Sequence, residues 1–347
     1  CGGCAKPAPF DIMASCTATA LRVLASHSVD IQKSSERIPM IDVAIMVEGQ
    51  NGLNWPRWQR LARAVEDLGF VGLYRSDHYT NADPPDIDSL ELWTSLTWLA
   101  SHTKRIEFGA LVTPVSFRHP TLTARMAAAV DDLSGGRLTL GVGAGWQARE
   151  HEHFGFELLD VPRRFKRFEE GLEVITRLLN SDSPVDFSGG FYRLREAILL
   201  PRPARKGGPP ILVGGNGPKL TLPLAARYAT EWNAVYLPPK EFAERSSRLS
   251  ELLKAQGRDP KSVRRSMMTG CYFGRDEAEV MRKLKGDAGR RERLANMGVP
   301  MGTANEIVDQ LGQHAEAGLQ RIMLQWLDLD DVDGLEAMAR GVLGQVK

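Results

Sequence analysis

The sequence has few cysteines, and their placement removes several classes of protein. Only four cysteines occur in 347 residues, and three of them (Cys1, Cys4 and Cys16) lie within the first sixteen positions. Cys271 alone remains for the body of the chain, so a disulfide framework is excluded. No second Cys or His pair at ligand spacing follows the Cys1-Gly-Gly-Cys4 pair. We therefore expect no metal site.

The chain also lacks an excess of either charge and a long apolar run. Lys and Arg total 44 against 43 Asp and Glu, which gives a formal net charge of +1 and makes nucleic acid an unexpected partner. Arg or Asp interrupts every apolar stretch before it reaches the roughly 18 to 20 residues of a membrane helix. With 43% hydrophobic residues the chain can bury a large core. We expect a cytoplasmic enzyme that acts on a small molecule.

The first 39 residues differ from the remainder. They lack strong periodicity and begin without Met, and Arg22 interrupts the only stretch that resembles the apolar part of a signal peptide. We expect an irregular extension over residues 1–39, a natural start at Met40, and one domain over residues 40–347.

From Met40 onward, short β-branched runs alternate with amphipathic stretches of helical length, which is typical of repeated βα units. This pattern predicts eight strands, at 41–47, 70–76, 105–112, 137–143, 209–215, 231–237, 265–273 and 321–327. Two alternating runs around Ser188-Gly189-Gly190 predict an inserted β-hairpin, and residues 276–300 predict an extra helical excursion between strands seven and eight. The predicted fold is an α/β (β/α)8 TIM barrel. A doubly wound open sheet is the alternative, and the absence of a GxGxxG turn after strand one disfavours it.

Functional residues of such a barrel lie just past the carboxyl ends of its strands. Strand two ends in Ser76-Asp77-His78-Tyr79, and His78 could exchange a proton near neutral pH at the barrel mouth. The alternative is that Asp77 caps the following turn and His78 is a solvated loop residue.

Glycines follow the next three strands. Gly109 lies where strand three would bulge, and the alternating glycines of 141–146 leave backbone N–H groups free for a ligand. Segment 213–219 combines free N–H groups, a helix start and Lys219, which is the composition of an anion-binding loop. Tight corners and flexible turns would have the same composition.

Four segments in this order, SDHY (76–79), FGALVTPVSFRHP (108–120), RLTLGVGAGWQAREHEHFG (137–155) and PPILVGGNGPK (209–219), resemble the luciferase-like monooxygenase superfamily. They are most similar to its branch that uses the deazaflavin coenzyme F-420. The resemblance extends from Met40 to about residue 340, and it implies a barrel fold and an oxidoreductase activity.

The resemblance also implies roles for particular residues. Asp77 and His78 would lie beside the reactive ring, and a non-prolyl cis peptide bond between Ala110 and Leu111 would support that ring. The remaining cofactor-binding positions would be Val112, Thr113, Gly143, Ala144, Gly145 and Arg149, with Gly214, Gly215, Asn216 and Gly217 around the phosphate. Trp146 stands where sugar-phosphate dehydrogenases of the superfamily carry a catalytic Glu, and it would favour a hydrophobic or aromatic substrate.

Three functions follow as hypotheses. The first is hydride transfer between reduced F-420, regenerated by an F-420-reducing enzyme, and a small organic substrate, with His78 or water supplying a proton. The second is a two-component monooxygenase that takes reduced FMN from a flavin reductase and uses O₂. The third is a catalytically silent flavin-binding barrel. Homodimers are common in the superfamily, so the resemblance implies a homo-oligomer.

Overall fold

The computed structural model describes residues 41–346. The predicted N-terminal extension, and with it the Cys1–Cys4 pair, lies outside the described residues. Over the described residues, eight parallel strands form the central sheet, close to their predicted positions. Their bounds are β1 Asp42–Val47, β2 Gly72–Arg75, β3 Glu107–Ala110, β4 Leu138–Gly143, β5 Ile211–Gly214, β6 Glu231–Val235, β7 Arg264–Gly270 and β8 Arg321–Gln325.

The sheet closes on itself. Each strand pairs in parallel with its neighbour in sequence, and β1 also pairs with β8, with Ile45 opposite Leu324. The remaining junction joins β3 to β4, where Phe108 lies opposite Leu138. Closure confirms the (β/α)8 barrel, because a doubly wound sheet would end in two unpaired edges.

Alternate side chains of the strands serve two separate cores. On β1, Val43, Ile45 and Val47 belong to the large core between the strands and the helices, whereas Ala44 and Met46 belong to a smaller cluster inside the barrel. This alternation is the period of two that β-structure imposes on its side chains. The inner cluster fills the barrel beneath its mouth.

Helices follow the strands and cover the barrel. Their bounds are α1 Trp55–Leu68, α2 Leu92–His102, α3 Pro120–Ser134, α4 Ala148–Phe154, α5 Val161–Asn180, α6 Thr221–Tyr228, α7 Pro239–Ala255, α8 Glu277–Lys283, α9 Ala288–Asn296, α10 Ala304–Glu316 and α11 Val332–Met338. Helix α1 shows why the boundaries were predictable: Asn54 caps its first turn, Pro56 lies in that turn, and Gly69 ends it at φ 92°. Across residues 41–346 the helices are too short or too polar to cross a bilayer.

Two additions to the barrel were also predicted correctly. The hairpin consists of antiparallel strands Val185–Ser188 and Arg193–Ala197, outside the barrel sheet. Helices α8 and α9 form the excursion between β7 and β8. The predicted seventh strand extended to residue 273, but the barrel strand ends at Gly270, and Tyr272–Phe273 instead pairs in parallel with Met301–Gly302 to close this excursion.

Candidate functional site

A cavity of about 570 Å³ opens at the carboxyl ends of the strands. All eight strands or the segments that follow them contribute to its wall, and α5 adds two side chains. The lining residues are Glu48, Ser76, His78, Leu111, Val112, Pro114, Gly143, Ala144, Gly145, Trp146, Glu150, Arg164, Phe165, Gly214, Gly215, Thr221, Asn233, Val235, Tyr236, Met268 and Gln325. The volume lies in the range of small-molecule and cofactor sites.

His78 reaches the cavity from the loop after β2 and is held there by Glu150 of α4. The His78 Nδ1 atom lies 2.9 Å from Glu150 Oε1 and 3.1 Å from Oε2. The same carboxylate accepts the backbone N–H of Tyr79 at 3.0 Å. Glu150 is almost fully buried. Its carboxylate accepts a hydrogen bond from Nδ1–H, so Nε2 is the imidazole nitrogen left for a ligand.

The environment of His78 favours the protonated ring. Burial alone would lower the pKa of His78, but the hydrogen bond and negative charge of Glu150, with the charges of Glu48 and Asp77, raise it above its ordinary value. His78 is therefore charged over a wider pH range than a free histidine, which suits a proton donor.

Asp77 does not line the cavity. Its side chain is buried, binds Arg118 Nη1 at 2.5 Å, and accepts a hydrogen bond from Thr113 Oγ1 at 2.7 Å. These contacts join the loop after β2 to the segment after β3. The structure thus places Asp77 and Thr113, both proposed to lie at the cofactor, behind the cavity wall.

The segment after β3 does bulge into the cavity, but the expected peptide bond was assigned one residue too early. The non-prolyl cis bond joins Leu111 to Val112, and the bond from Ala110 to Leu111 is trans. Ala110 is the last residue of β3 and is buried. Leu111 and Val112 line the cavity, since the bulge begins where β3 ends.

The glycines after β4 make room for this bulge. A Cβ on Gly141 would lie 2.0 Å from the carbonyl oxygen of Ala110, and one on Gly143 would lie 2.6 Å from Val112 Cγ2. Both glycines are therefore needed for close packing of β3 and β4. Gly143, Ala144 and Gly145 line the cavity, and Gly145 has φ 85°.

Trp146 and Arg149 have different positions relative to the cavity. Trp146 lines it, is 63% exposed, and contacts the edge of the His78 ring with 5.7 Å between centroids. Arg149 is outside the cavity wall. Its guanidinium binds both carboxylate oxygens of Asp86, each at 2.7 Å, and the Asn81 carbonyl oxygen at 2.9 Å. The guanidinium that the resemblance assigns to the cofactor tail is thus bound to the loop after β2.

In the loop after β5, likewise, only some of the residues proposed to bind the cofactor line the cavity. Gly214 and Gly215 line the cavity. Asn216 instead forms two hydrogen bonds to the backbone of Val235, at 2.6 and 2.9 Å, which tie this loop to β6. The carbonyl of Gly217 accepts the backbone N–H of Thr221 at 3.0 Å as α6 begins. Two of the four predicted phosphate-binding residues therefore shape the loop.

Hydrogen-bonded polar side chains border the other side of the cavity. They were not predicted from the sequence. Ser76 Oγ donates to Gln50 Oε1 at 2.7 Å, Gln50 Nε2 to Glu48 Oε2 at 2.9 Å, and Gln325 Nε2 to Glu48 Oε1 at 2.5 Å. The Tyr236 hydroxyl donates to Gln325 Oε1. Burial and the charge of Glu48 raise the pKa of Tyr236 to about 12, so its phenol remains protonated.

The comparisons with known proteins agree with this fold. The family described as luciferase-like monooxygenase matches residues 41–337. A phthiodiolone/phenolphthiodiolone dimycocerosates ketoreductase of Mycobacterium kansasii is 32% identical over 70% of this chain and 66% of its own length. A 4-hydroxyprotoasukamycin monooxygenase of Streptomyces nodosus subsp. asukaensis is 33% identical over 54% of this chain and 49% of its own length. The matches thus span less than two thirds of either relative.

Among solved structures, an F-420-dependent secondary alcohol dehydrogenase in complex with an F-420-acetone adduct has the same fold. It superposes with a TM-score of 0.76 at 21% identity, covering 89% of this chain and 99% of that chain.

Proposed function

Because this chain belongs to the luciferase-like monooxygenase family, and is an F-420- or FMN-dependent oxidoreductase, we propose that it transfers a hydride between coenzyme F-420 and a small organic substrate. The observation that carries the proposal is the His78–Glu150 pair in the wall of the cavity. A hydride delivered to a carbonyl carbon leaves charge on oxygen, and a nearby proton donor completes the reduction.

The residues of the cavity fit a planar deazaflavin. Leu111, Val112 and Phe165 offer an apolar surface, and the main chain at Gly143 and Gly215 permits close approach of a ring or phosphate. We assign the ring to the Leu111–Val112 bulge and the phosphate to the loop after β5. When bound, the coenzyme supplies the hydride.

His78 has the part of proton donor in this proposal. Glu150 fixes the ring through Nδ1, so the proton at Nε2 is the one available to a substrate oxygen. The Trp146 ring packs against the His78 edge and forms an apolar boundary beside it. Positioning of the two reactants would contribute most of the rate.

Fluorescence titration of the purified protein with F-420 and, separately, with FMN tests the proposal. We expect micromolar or tighter binding of F-420 and much weaker binding of FMN. The reverse order of affinity would overturn the deazaflavin assignment. Binding of either molecule without turnover of any substrate would instead support the silent flavin-binding barrel.

The monooxygenase relative favours a second candidate, in which the same cavity takes reduced FMN from a flavin reductase and uses O₂. Both cofactors carry a tricyclic ring and a phosphate, so the same residues would hold them. Oxygen uptake that depends on reduced FMN would support this candidate, whereas anaerobic oxidation of reduced F-420 by substrate would support the first.

A further inference from the structure

Arg164 lies on the first turn of α5 and is the arginine among the lining residues of the cavity. The residue is half-buried, and its Nε atom is buried with no hydrogen-bond partner. Within residues 41–346 no carboxylate lies within 4.0 Å of its guanidinium. This cation therefore lines the cavity without a carboxylate of the described residues at ion-pair distance.

The two carboxylates that line the cavity are already bound to other groups. Glu150 binds His78, and Glu48 accepts hydrogen bonds from Gln50 and Gln325. Outside the cavity lining, Glu157 lies 3.6 Å from Arg167. An arginine removed from water without a partner is costly, because its charge and its donors lose their hydration. A side chain in that situation is suited to a ligand that brings the missing negative charge.

We propose that Arg164 binds an oxyanion, a phosphate or a carboxylate, on the molecule that occupies the cavity. The planar guanidinium can donate two parallel hydrogen bonds to such a group. The identity of the occupant rests on the proposed function, whereas the anion site itself does not.

Two sources of the oxyanion are compatible with the fold. The phosphate of a cofactor is one, because α5 packs beside α6, where Arg227 binds Glu169 at 3.0 Å, and α6 begins at the loop after β5. A carboxylate on the substrate is the other, because Phe165 beside Arg164 offers an apolar surface for the body of such a molecule.

Paired titrations of wild type, Arg164→Gln and Arg164→Lys test the proposal. Arg163→Gln is the matched control, since Arg163 is exposed on the same turn and does not line the cavity. The ligands are F-420 with its phosphate-free deazaflavin riboside, and FMN with riboflavin. If the source is the cofactor, Arg164→Gln should weaken binding of the phosphorylated member roughly 10- to 100-fold and leave the phosphate-free member unchanged. Lysine should restore part of the loss.

If the source is the substrate, both cofactor pairs should bind Arg164→Gln as they bind wild type. The loss should then appear with benzoate, titrated into the cofactor-loaded protein and followed by calorimetry. Titration of inorganic phosphate at low ionic strength, without cofactor, keeps the anion site testable when neither flavin nor deazaflavin binds. The proposal is overturned when Arg164→Gln behaves like Arg163→Gln in every one of these titrations, or when wild type binds none of the anions.

Discussion

Replacement of Glu150 by Gln isolates the charge that holds His78. Glutamine keeps the shape of the side chain and one acceptor oxygen, but it removes the negative charge and leaves only one of the two oxygens that lie near His78 Nδ1. A hydrogen bond to a charged group contributes about 1.5 to 3 kcal/mol, and retention of one neutral bond leaves a loss of about 1 to 2 kcal/mol in the free energy of unfolding. The Glu150→Gln substitution should also lower the pKa of His78.

The raised pKa of His78 determines how this loss of stability depends on pH. Because the pKa of His78 is raised in the folded protein, its pairing with Glu150 stabilises the fold fully below the ordinary histidine pKa. That contribution disappears as pH rises through the raised value. The difference in unfolding free energy between wild type and Glu150→Gln should therefore be largest below the ordinary histidine pKa of about 6.5 and should decrease as pH rises through the raised value.

Denaturant unfolding across pH and NMR titration of the histidine rings measure the two effects. The spectrum of His78→Ala assigns the His78 signal among the seven histidines of the chain. Glu152→Gln serves as control, because Glu152 is exposed on the same helix. An unchanged His78 titration in Glu150→Gln, or a stability difference that grows with pH, would refute the reasoning.

Three further predictions concern the cavity. His78→Ala should lower turnover by about 100-fold or more while the cofactor Kd changes little, and steady-state kinetics beside fluorescence titration will separate the two. Gly141→Ala should destabilise the fold by about 2 kcal/mol or more, because its Cβ would meet the Ala110 carbonyl oxygen. Gly344→Ala is the control, since a Cβ there has open space, and thermal unfolding should show little change in its stability. Trp146→Ala should change the free energy of unfolding by less than about 1 kcal/mol, because its side chain is 63% exposed. The same substitution should raise KM for apolar substrates, and an unchanged KM would mean that Trp146 is not part of the site.

The fold was readable from the sequence because its signals are local. A buried β-branched run, a helical repeat and a capping glycine each lie within about fifteen residues, as the segment from Asn54 to Gly69 illustrates. Repetition of that unit eight times then predicts closure. A different topology would show a long irregular connection or a different repeat in the sequence.

The hydrogen-bond partners of the site residues could not be predicted, because they lie far apart in the sequence. Glu150 is 72 positions from His78 and lies among four other charged or histidine residues in AREHEHF, which do not distinguish it. Arg118 is 41 positions from Asp77 and withdraws that carboxylate from the cavity. No local pattern encodes either pairing, although both decide which side chain can reach a ligand.

One signal in the sequence was open to a better interpretation. Gly141 and Gly143 are two positions apart, so on a strand they occupy the same face. Their spacing predicts a neighbouring chain or bulky side chain pressed against that face, and Val112 is the one observed. A glycine can thus line the cavity and also permit close packing, because that packing positions the bulge in the cavity wall.

The polar chain from Ser76 to Tyr236 has a consequence for protein engineering. Because each of its members fixes the next, a substitution at Glu48 would leave amide groups of Gln50 and Gln325 without their acceptor. Redesign on that side would need compensating changes made together. The opposite wall, where Phe165 contributes through packing, accepts single replacements more readily, and libraries intended to broaden the range of accepted molecules should begin there.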